Sequence, residues 1–266
     1  MNTIFTFMIL INTILFPAHE NAKNSFAFIH DQVILTVKDE LSIPVYIQHE
    51  VDQINKAMID FATVKASGFV SSHNDITTNV ITNHHVCTEI FNSDKPSIMQ
   101  SVESLLREKI NQTNPILFLY YDLSYRYVAT DYDGNDYVIK QVIKSEPKTD
   151  LCLLETERVW GVPAKINEKE CSPSEVIYNM SASGGIYHPK AVPFRQGFYN
   201  GKVFNEIMTA RQYNERSLFT LSARTGASGS AVFNRNGKVC GNISHSISDL
   251  DVCYGSTVND LKSFLR

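Results

Sequence analysis

Between Ala66 and Tyr254 the apolar residues of this chain come in short runs, each closed off by turn-forming residues before it could fill one face of a helix. Val80–Thr82, Tyr137–Val142, Leu151–Leu154, Val176–Met180, Gly197–Phe204, Leu218–Ser222, Ala231–Asn234, Val239–Ser244 and Val252–Tyr254 all have strand length. Many short strands at even spacing, with turns between them, indicate a sandwich or a barrel. His73-Asn74-Asp75 joins Gly68–Ser72 to Val80–Thr82, and Asp133-Gly134 closes a hairpin between residues 115–130 and Tyr137–Val142. The polar stretch Glu157–Pro173 holds the only tryptophan, Trp160, and reads as a linker between two groups of strands.

Helical patterns are confined to the margins and to one insertion. Upstream, β-like runs at Val33–Val37 and Ile43–Ile47 precede Val51, Ile54, Met58 and Phe61 at helical spacing. Ile98, Val102, Leu105, Leu106 and Ile110 predict an inserted amphipathic helix near 97–110. At the C-terminus, Thr257 and Asp260 have capping-box spacing, with Val258, Leu261 and Phe264 as the apolar face of a helix over 257–266. A hydrophobic fraction of 43% over 266 residues supports a sizeable core. The net charge of −4 argues against a nucleic-acid partner, which would demand a basic face.

Ile4–Phe16 is an almost unbroken apolar run, shorter than the ~20 residues of a membrane span but suited to the core of an export signal. The small pair Ser25 and Ala27 places cleavage after Ala27, so residues 1–27 read as a signal peptide. Uncleaved, they read as an anchor that would bring membrane association; the third reading is a buried N-terminal segment. No Lys or Arg precedes the run. The expected location is secreted, periplasmic or extracellular. The five cysteines cannot all pair within one chain, and no C-x-x-C suggests zinc. Cys87, Cys152 and Cys240 sit in apolar runs and read as small buried hydrophobes. In an exported chain, Cys240 and Cys253 could face each other across a hairpin.

Three local patterns carry chemistry: Ile81-Thr82-Asn83-His84-His85-Val86, Thr149-Asp150-Leu151-Cys152-Leu153-Leu154, and Thr225-Gly226-Ala227-Ser228-Gly229-Ser230-Ala231. A serine hydroxyl is a poor nucleophile at neutral pH and needs a base within hydrogen-bond reach. A histidine can take that proton and return it. A buried carboxylate fixes the histidine tautomer and stabilises the imidazolium. The backbone N–H groups of Gly226 and Ser228 would form an oxyanion hole, and glycine permits the backbone geometry this requires. Each pattern alone is common. The order His, Asp, Ser, each in strand context, is that of one class of hydrolases and not of the α/β-hydrolases, which run Ser, Asp, His.

The patterns resemble the trypsin-like peptidase superfamily, and most closely its HtrA-like and glutamyl-endopeptidase-like branches. Thr82-Asn83-His84-His85-Val86 is similar to the family's Thr-Asn-x-His-Val, which assigns the base to His85 and leaves His84 a structural neighbour. Asp150–Leu154 resembles Asp-(Ile/Leu)-Ala-Leu-(Leu/Ile), and Gly226–Ser230 resembles Gly-Asn-Ser-Gly-(Gly/Ser). The resemblance runs from about Ala66 to the C-terminus. It implies an all-β chymotrypsin-like fold of two six-stranded antiparallel β-barrels, at about 66–156 and 174–255, with 28–65 as an N-terminal extension. It implies a serine endopeptidase with His85, Asp150 and Ser228 as triad, a polypeptide substrate, and neither metal nor organic cofactor.

The resemblance also places Ser222 near the base of the S1 pocket and Ile243 and Ser244 on its wall, which suggests a small or medium apolar P1 residue. Ala227 stands where trypsin has the aspartate that pairs with a freed N-terminus, so that activation route is not expected. The chain ends too soon after its last strand for a PDZ domain. A rival of another class is a protease-like protein that binds a partner without cleaving it, against which the intact triad argues. A polyprotein-processing viral-type protease would share the chemistry. His73, His188 and His245 are not expected to be ligands. Asn111 begins a glycosylation sequon; Asn179 and Asn242 begin others in predicted strands. The sequence leaves the oligomeric state open.

Overall fold

Side chains along a strand alternate between its two faces, so a strand covered on both faces must be apolar at nearly every position. Phe26–Ile29, Val80–Ile81 and Leu151–Leu154 follow that pattern. The structure, a computed structural model, describes residues 17–37, 65–92, 104, 121–204 and 215–266. Six strands close the barrel: β1 (Phe26–Val37), β2 (Lys65–His73), β3 (Thr78–Thr82), β4 (Tyr121–Thr130), β5 (Asp136–Glu146) and β6 (Leu151–Thr156), in the order β1-β2-β3-β6-β5-β4. All pairings are antiparallel, and β1 closes the ring on β4 with Ile29 opposite Ala129. Ala27, Ile29, Val70, Val80, Cys152 and Leu154 point into the barrel. Their neighbours Phe26, Phe28, Phe69, Ile81, Leu151 and Leu153 point out of it, into a second apolar cluster shared with the other half of the molecule.

That half is a seven-stranded antiparallel sheet of β7 (Val176–Met180), β8 (Phe194–Phe204), β9 (Glu215–Thr220), β10 (Ala231–Asn234), β11 (Val239–Asn242), β12 (His245–Ile247) and β13 (Val252–Gly255). Their order is β11-β10-β7-β8-β9-β13-β12. The expected second six-stranded barrel is therefore a curled sheet with β11 and β12 at its edges. The ladder breaks at Ile243 and Ser244: Ile243 N–H turns to Ser230 O (2.9 Å), and the Ser244 hydroxyl turns to the Asp150 carboxylate. Ile177, Tyr199, Phe219, Val232, Cys240 and Ile243 form its own core. Met180, Ala231, Phe233 and Val239 face the shared cluster.

Residues 17–25 are helical (α1) and lead straight into β1. Helix α2 (His84–Asn92) starts two residues after β3. Helix α3 (Val258–Phe264) has the predicted capping box between Thr257 and Asp260, and drops Leu261 and Phe264 into the shared cluster. Trp160 belongs to the first barrel's core despite its polar linker: it stacks on Tyr137 (4.5 Å between centroids) and its indole N–H donates to Thr156 Oγ1 (2.9 Å). The runs expected at 43–47 and 51–61, and the inserted helix apart from the helical residue 104, fall outside the described residues. So does Asn111; Asn179 and Asn242 are fully buried.

The first barrel thus begins at Phe26, well upstream of Ala66. Helix α1 is built into it. Ala18, Ala22 and Ser25 are buried, Asn21 Nδ2 donates to Gly237 O (2.9 Å), and Asn24 O accepts from Val162 N (2.8 Å). One short helix therefore touches both the linker and the β10–β11 turn. Ala27 lies opposite Gly68 in the β1–β2 ladder, so scission after Ala27 would cut within the barrel wall.

Two disulfides join Cys87 to Cys152 and Cys171 to Cys240, which corrects the reading of Cys87, Cys152 and Cys240 as unpaired hydrophobes and the suggested Cys240–Cys253 pair. Cys253 is the free, buried thiol, and burial pushes its pKa up to about 12. The bridges close loops of 65 and 69 residues, each worth about 4 kcal/mol in the chain-entropy account.

A chain that begins at Phe28 loses α1 and the start of β1. It is expected to melt roughly 10 °C below one that begins at Pro17, from the loss of a few buried side chains. Calorimetry of the two chains checks this; equal melting temperatures would show that α1 contributes nothing to the fold.

Candidate active site

A carboxylate taken out of water must be met by donors, or it will not stay ionised. Asp150 is such a group. It is 7% exposed, sits between Thr149 and the first residue of β6, and has φ +54°. Both its carboxylate oxygens face the imidazole of His85: Nδ1 lies 3.1 Å from Oδ1 and 3.0 Å from Oδ2. The backbone N–H of His85 also donates to Oδ1 (3.1 Å), and Ser244 Oγ donates to Oδ2. Burial alone would raise the Asp150 pKa. The hydrogen bond and charge of His85, with the Ser244 hydroxyl, outweigh it and hold the carboxyl below the usual carboxylate range.

The local sequence explains how the pair is held. Helix α2 starts at His84, so His85 offers a first-turn N–H to the carboxylate as well as its ring. Asn83 is fully buried and donates from Nδ2 to Asp150 O (2.9 Å). Thr149 O accepts from Ser256 Oγ (2.6 Å) and from Arg216 (2.6 Å), both in the second sheet's half. The Cys87–Cys152 bridge ties the turn after His85 to the strand after Asp150. His84 lies elsewhere: its Nδ1 contacts Ser145 Oγ (2.6 Å) on β5, which supports His85 as the base.

The third residue arrives on the loop between β9 and β10. Ser228 is half-buried, and among the described residues its hydroxyl takes part in no hydrogen bond. Catalytic contacts of this kind are often long before substrate binds. The loop is fixed by Ser67 on β2. Ser67 N donates to Ser228 O (2.8 Å), Ser67 Oγ donates to Gly226 O (2.7 Å), and the same Oγ accepts from Ala182 N (3.0 Å). The Thr225 carbonyl accepts from Gly184 N (2.5 Å). In a planar trans peptide the N–H points opposite to the C=O, so the Gly226 N–H is turned away from Gly184. Among the described residues, neither Gly226 N nor Ser228 N donates to another backbone group. Gly226 and Gly229 have φ +92° and +88°, and a Cβ on either would run into neighbouring backbone, of Ala182 and of Ser67.

The expected specificity residues separate. Ser222 is exposed. Ile243 is buried in an apolar cluster with Ala223, Ala227 and Cys253. The Ser244 hydroxyl is engaged with Asp150 and with His245 Nδ1 (2.8 Å). His245, not expected to be a ligand, lies beside His85 and Ser244. Its ring lies 5.5 Å from that of His85 and stacks on Tyr254 at 5.3 Å. Position alone, directly after a serine that meets the candidate acid, was the available signal. Among the described residues no cluster of His, Cys, Asp or Glu could hold a metal ion.

The profile of the trypsin-like peptidase domain matches residues 66–241. No curated protein matches the chain. Among solved structures it resembles the Rv3671c protease of M. tuberculosis. The active form has a TM-score of 0.61 at 12% identity, over 96% of this chain and 85% of that one. The inactive form gives 0.59 at 11%, over 96% and 93%, and an inactive-form serine-to-alanine mutant from strain H37Rv gives 0.58 at 12%, over 96% and 91%. At such identity the likeness is one of fold.

Asp150→Asn keeps the shape but lets the side-chain amide donate to His85, which favours the wrong tautomer. Turnover is expected to fall by about 10⁴-fold, measured as kcat on a chromogenic ester. The same variant tests stability. Because the Asp150 pKa is depressed by folding, its contribution is fully present above the usual Asp range near 4 and is lost as pH falls through the lower folded value. Urea unfolding of the wild type should therefore weaken below about pH 4 more steeply than that of Asp150→Asn. Parallel pH dependences would show that the carboxylate adds nothing.

Proposed function

The chain belongs to the trypsin-like peptidase domain family and is a serine endopeptidase, and on that premise we propose that His85, Asp150 and Ser228 hydrolyse peptide bonds through an acyl-enzyme. The observation that carries the proposal is the His85 imidazole held through Nδ1 by both oxygens of a buried Asp150. This leaves Nε2 as the basic nitrogen for Ser228. Ser228 Oγ attacks the scissile carbonyl carbon as its proton passes to Nε2. The oxyanion that forms accepts from Gly226 N–H and Ser228 N–H. The imidazolium then gives its proton to the leaving amine, the C–N bond breaks, and the acyl chain stays on Ser228. Water repeats the sequence and releases the acid. Every step uses side chains and backbone of this chain alone.

The substrate is a polypeptide. β12 is an edge strand with one side unpaired among the described residues, and an extended chain can add to such an edge. The apolar surroundings of Ile243, with no charged group among Ala223, Ala227 and Cys253, favour a small or medium apolar P1 residue. Two disulfides fit an oxidising compartment, so we place the protein in a secreted, periplasmic or extracellular setting. Any removal of an export signal would then fall before Pro17, because α1 is part of the fold. Among the described residues no helix is long and apolar enough to cross a membrane.

A fluorophosphonate probe at neutral pH is expected to label the wild-type chain, with α1 intact, and not Ser228→Ala. Absence of labelling in well-folded wild type would overturn the mechanism and favour a protease-like protein that binds without cleaving.

A further inference from the structure

The hydrogen bonds at Asp150 do not end at the triad. Ser244 Oγ donates its one proton to Asp150 Oδ2, so its contact with His245 Nδ1, at 2.8 Å, must be one in which the imidazole is the donor. The chain therefore reads His245 Nδ1–H to Ser244 Oγ–H to Asp150, with His85 Nδ1–H arriving at the same carboxylate from the other side. The two rings are also close in space, at 5.5 Å and 45° to each other. His245 is held in place by its stack on Tyr254, at 5.3 Å and 12°.

We propose that His245 is a positioning residue of the peptidase: it fixes the Ser244 hydroxyl on Asp150 and takes up protons jointly with His85, so that the site has two coupled imidazoles rather than one. The inference rests on the reading of His85 and Asp150 as base and acid. Neutral His245 serves the chain, because its donating Nδ1–H leaves Ser244 no choice but to give its own proton to the carboxylate. Protonated His245 puts a positive charge beside the imidazole that must itself become positive in the transition state. The groups that face His245 are Asp150 and His85 from the first barrel, Arg216 from β9 and Tyr254 from β13. Burial holds the His245 pKa below its usual value; Asp150 pulls it up, and His85 and Arg216 push it down. The resting form at neutral pH is therefore the donating neutral ring, and the second proton enters only in acid.

Two variants separate the hydrogen bond from the charge. His245→Phe keeps a ring to stack on Tyr254 but has neither donor nor charge. His245→Asn can place an amide N–H where Nδ1 lies but cannot titrate. With a fluorophosphonate as probe, kinact of His245→Phe is expected to fall about 3–10-fold with KI within about twofold, the size of one lost hydrogen bond. His245→Asn should recover most of it. In wild type the acid limb of log(kinact/KI) should steepen from slope one to slope two as the second proton binds. In both variants it should stay at slope one. Imidazole NMR gives an activity-free reading: His85 should titrate in two steps in wild type and in one step in either variant. Unchanged kinact in His245→Phe together with one-step titration of His85 in wild type would overturn the proposal. If the wild type does not react with the probe at all, the catalytic reading fails, and the NMR titration alone decides whether the two imidazoles are coupled.

Discussion

The buried carboxylate of Asp150 is the constraint on which the rest of the molecule depends. An ion of that kind costs several kcal/mol to bury unless donors replace its water. Those donors come from both halves: His85 ring and backbone from the first barrel, Ser244 from the break between β11 and β12. The neighbouring Thr149 carbonyl is gripped by Ser256 and Arg216 from the second half. Neither half alone can satisfy this stretch of chain. The ladder break at Ile243 and Ser244, which keeps the second sheet from continuing as one strand, is the same feature that lets Ser244 reach across.

Ser67 does for the Gly226–Ser228 loop what Ser244 does for Asp150. It sits on a first-barrel strand, yet its backbone and side chain hold both ends of Gly226–Ser228 in the second half. Gly229 approaches so closely to Ser67 O and Thr82 Oγ1 that a Cβ there has no room. The Gly226–Gly229 loop is thus shaped by close contact with the opposite half as well as by its own sequence. The apolar cluster between the halves, with Phe26, Phe28 and Phe69 on one side and Met180, Phe233 and Leu261 on the other, sets the distance over which these polar contacts work.

What could be read in advance follows from this division. Strands such as Val176–Met180 and Ala231–Asn234 match to the residue, because their apolar runs are bounded by turn residues and nothing distant competes. The capping box at Thr257 was legible because it is local to four residues. The pairing of His85 with Asp150 was legible because its residue types and order are dictated by chemistry. The contacts of Ser244 and His245 were not, since they depend on a hydrogen bond across 94 residues of sequence that no local pattern encodes. The disulfides escaped for the same reason: Cys87 on α2 and Cys152 on β6 look like buried hydrophobes in their own apolar runs, and only the pairing of β3 with β6, which brings α2 beside β6, puts them together.

In the N-terminal segment one pattern admits two readings. Ser25 and Ala27 are small residues two apart, as an export protease would want. Here smallness answers packing. Ala18 and Ala22 lie one helical turn apart and are buried, which lets α1 approach closely enough for Asn21 to reach Gly237 O. Ala27 points into a barrel beside Ile29, where the opposing position is Gly68, whose own Cβ would collide with Ile81 O. A larger residue at position 27 would press on that same crowded interior. Two different demands, protease recognition and close packing, select the same residue types, and only the neighbours in three dimensions tell them apart. Once α1 is counted as structure, the surfaces that hold Asp150 and Ser228 gain a brace that joins the interbarrel linker to the second sheet, and the fold begins where the sequence suggested it had not yet started.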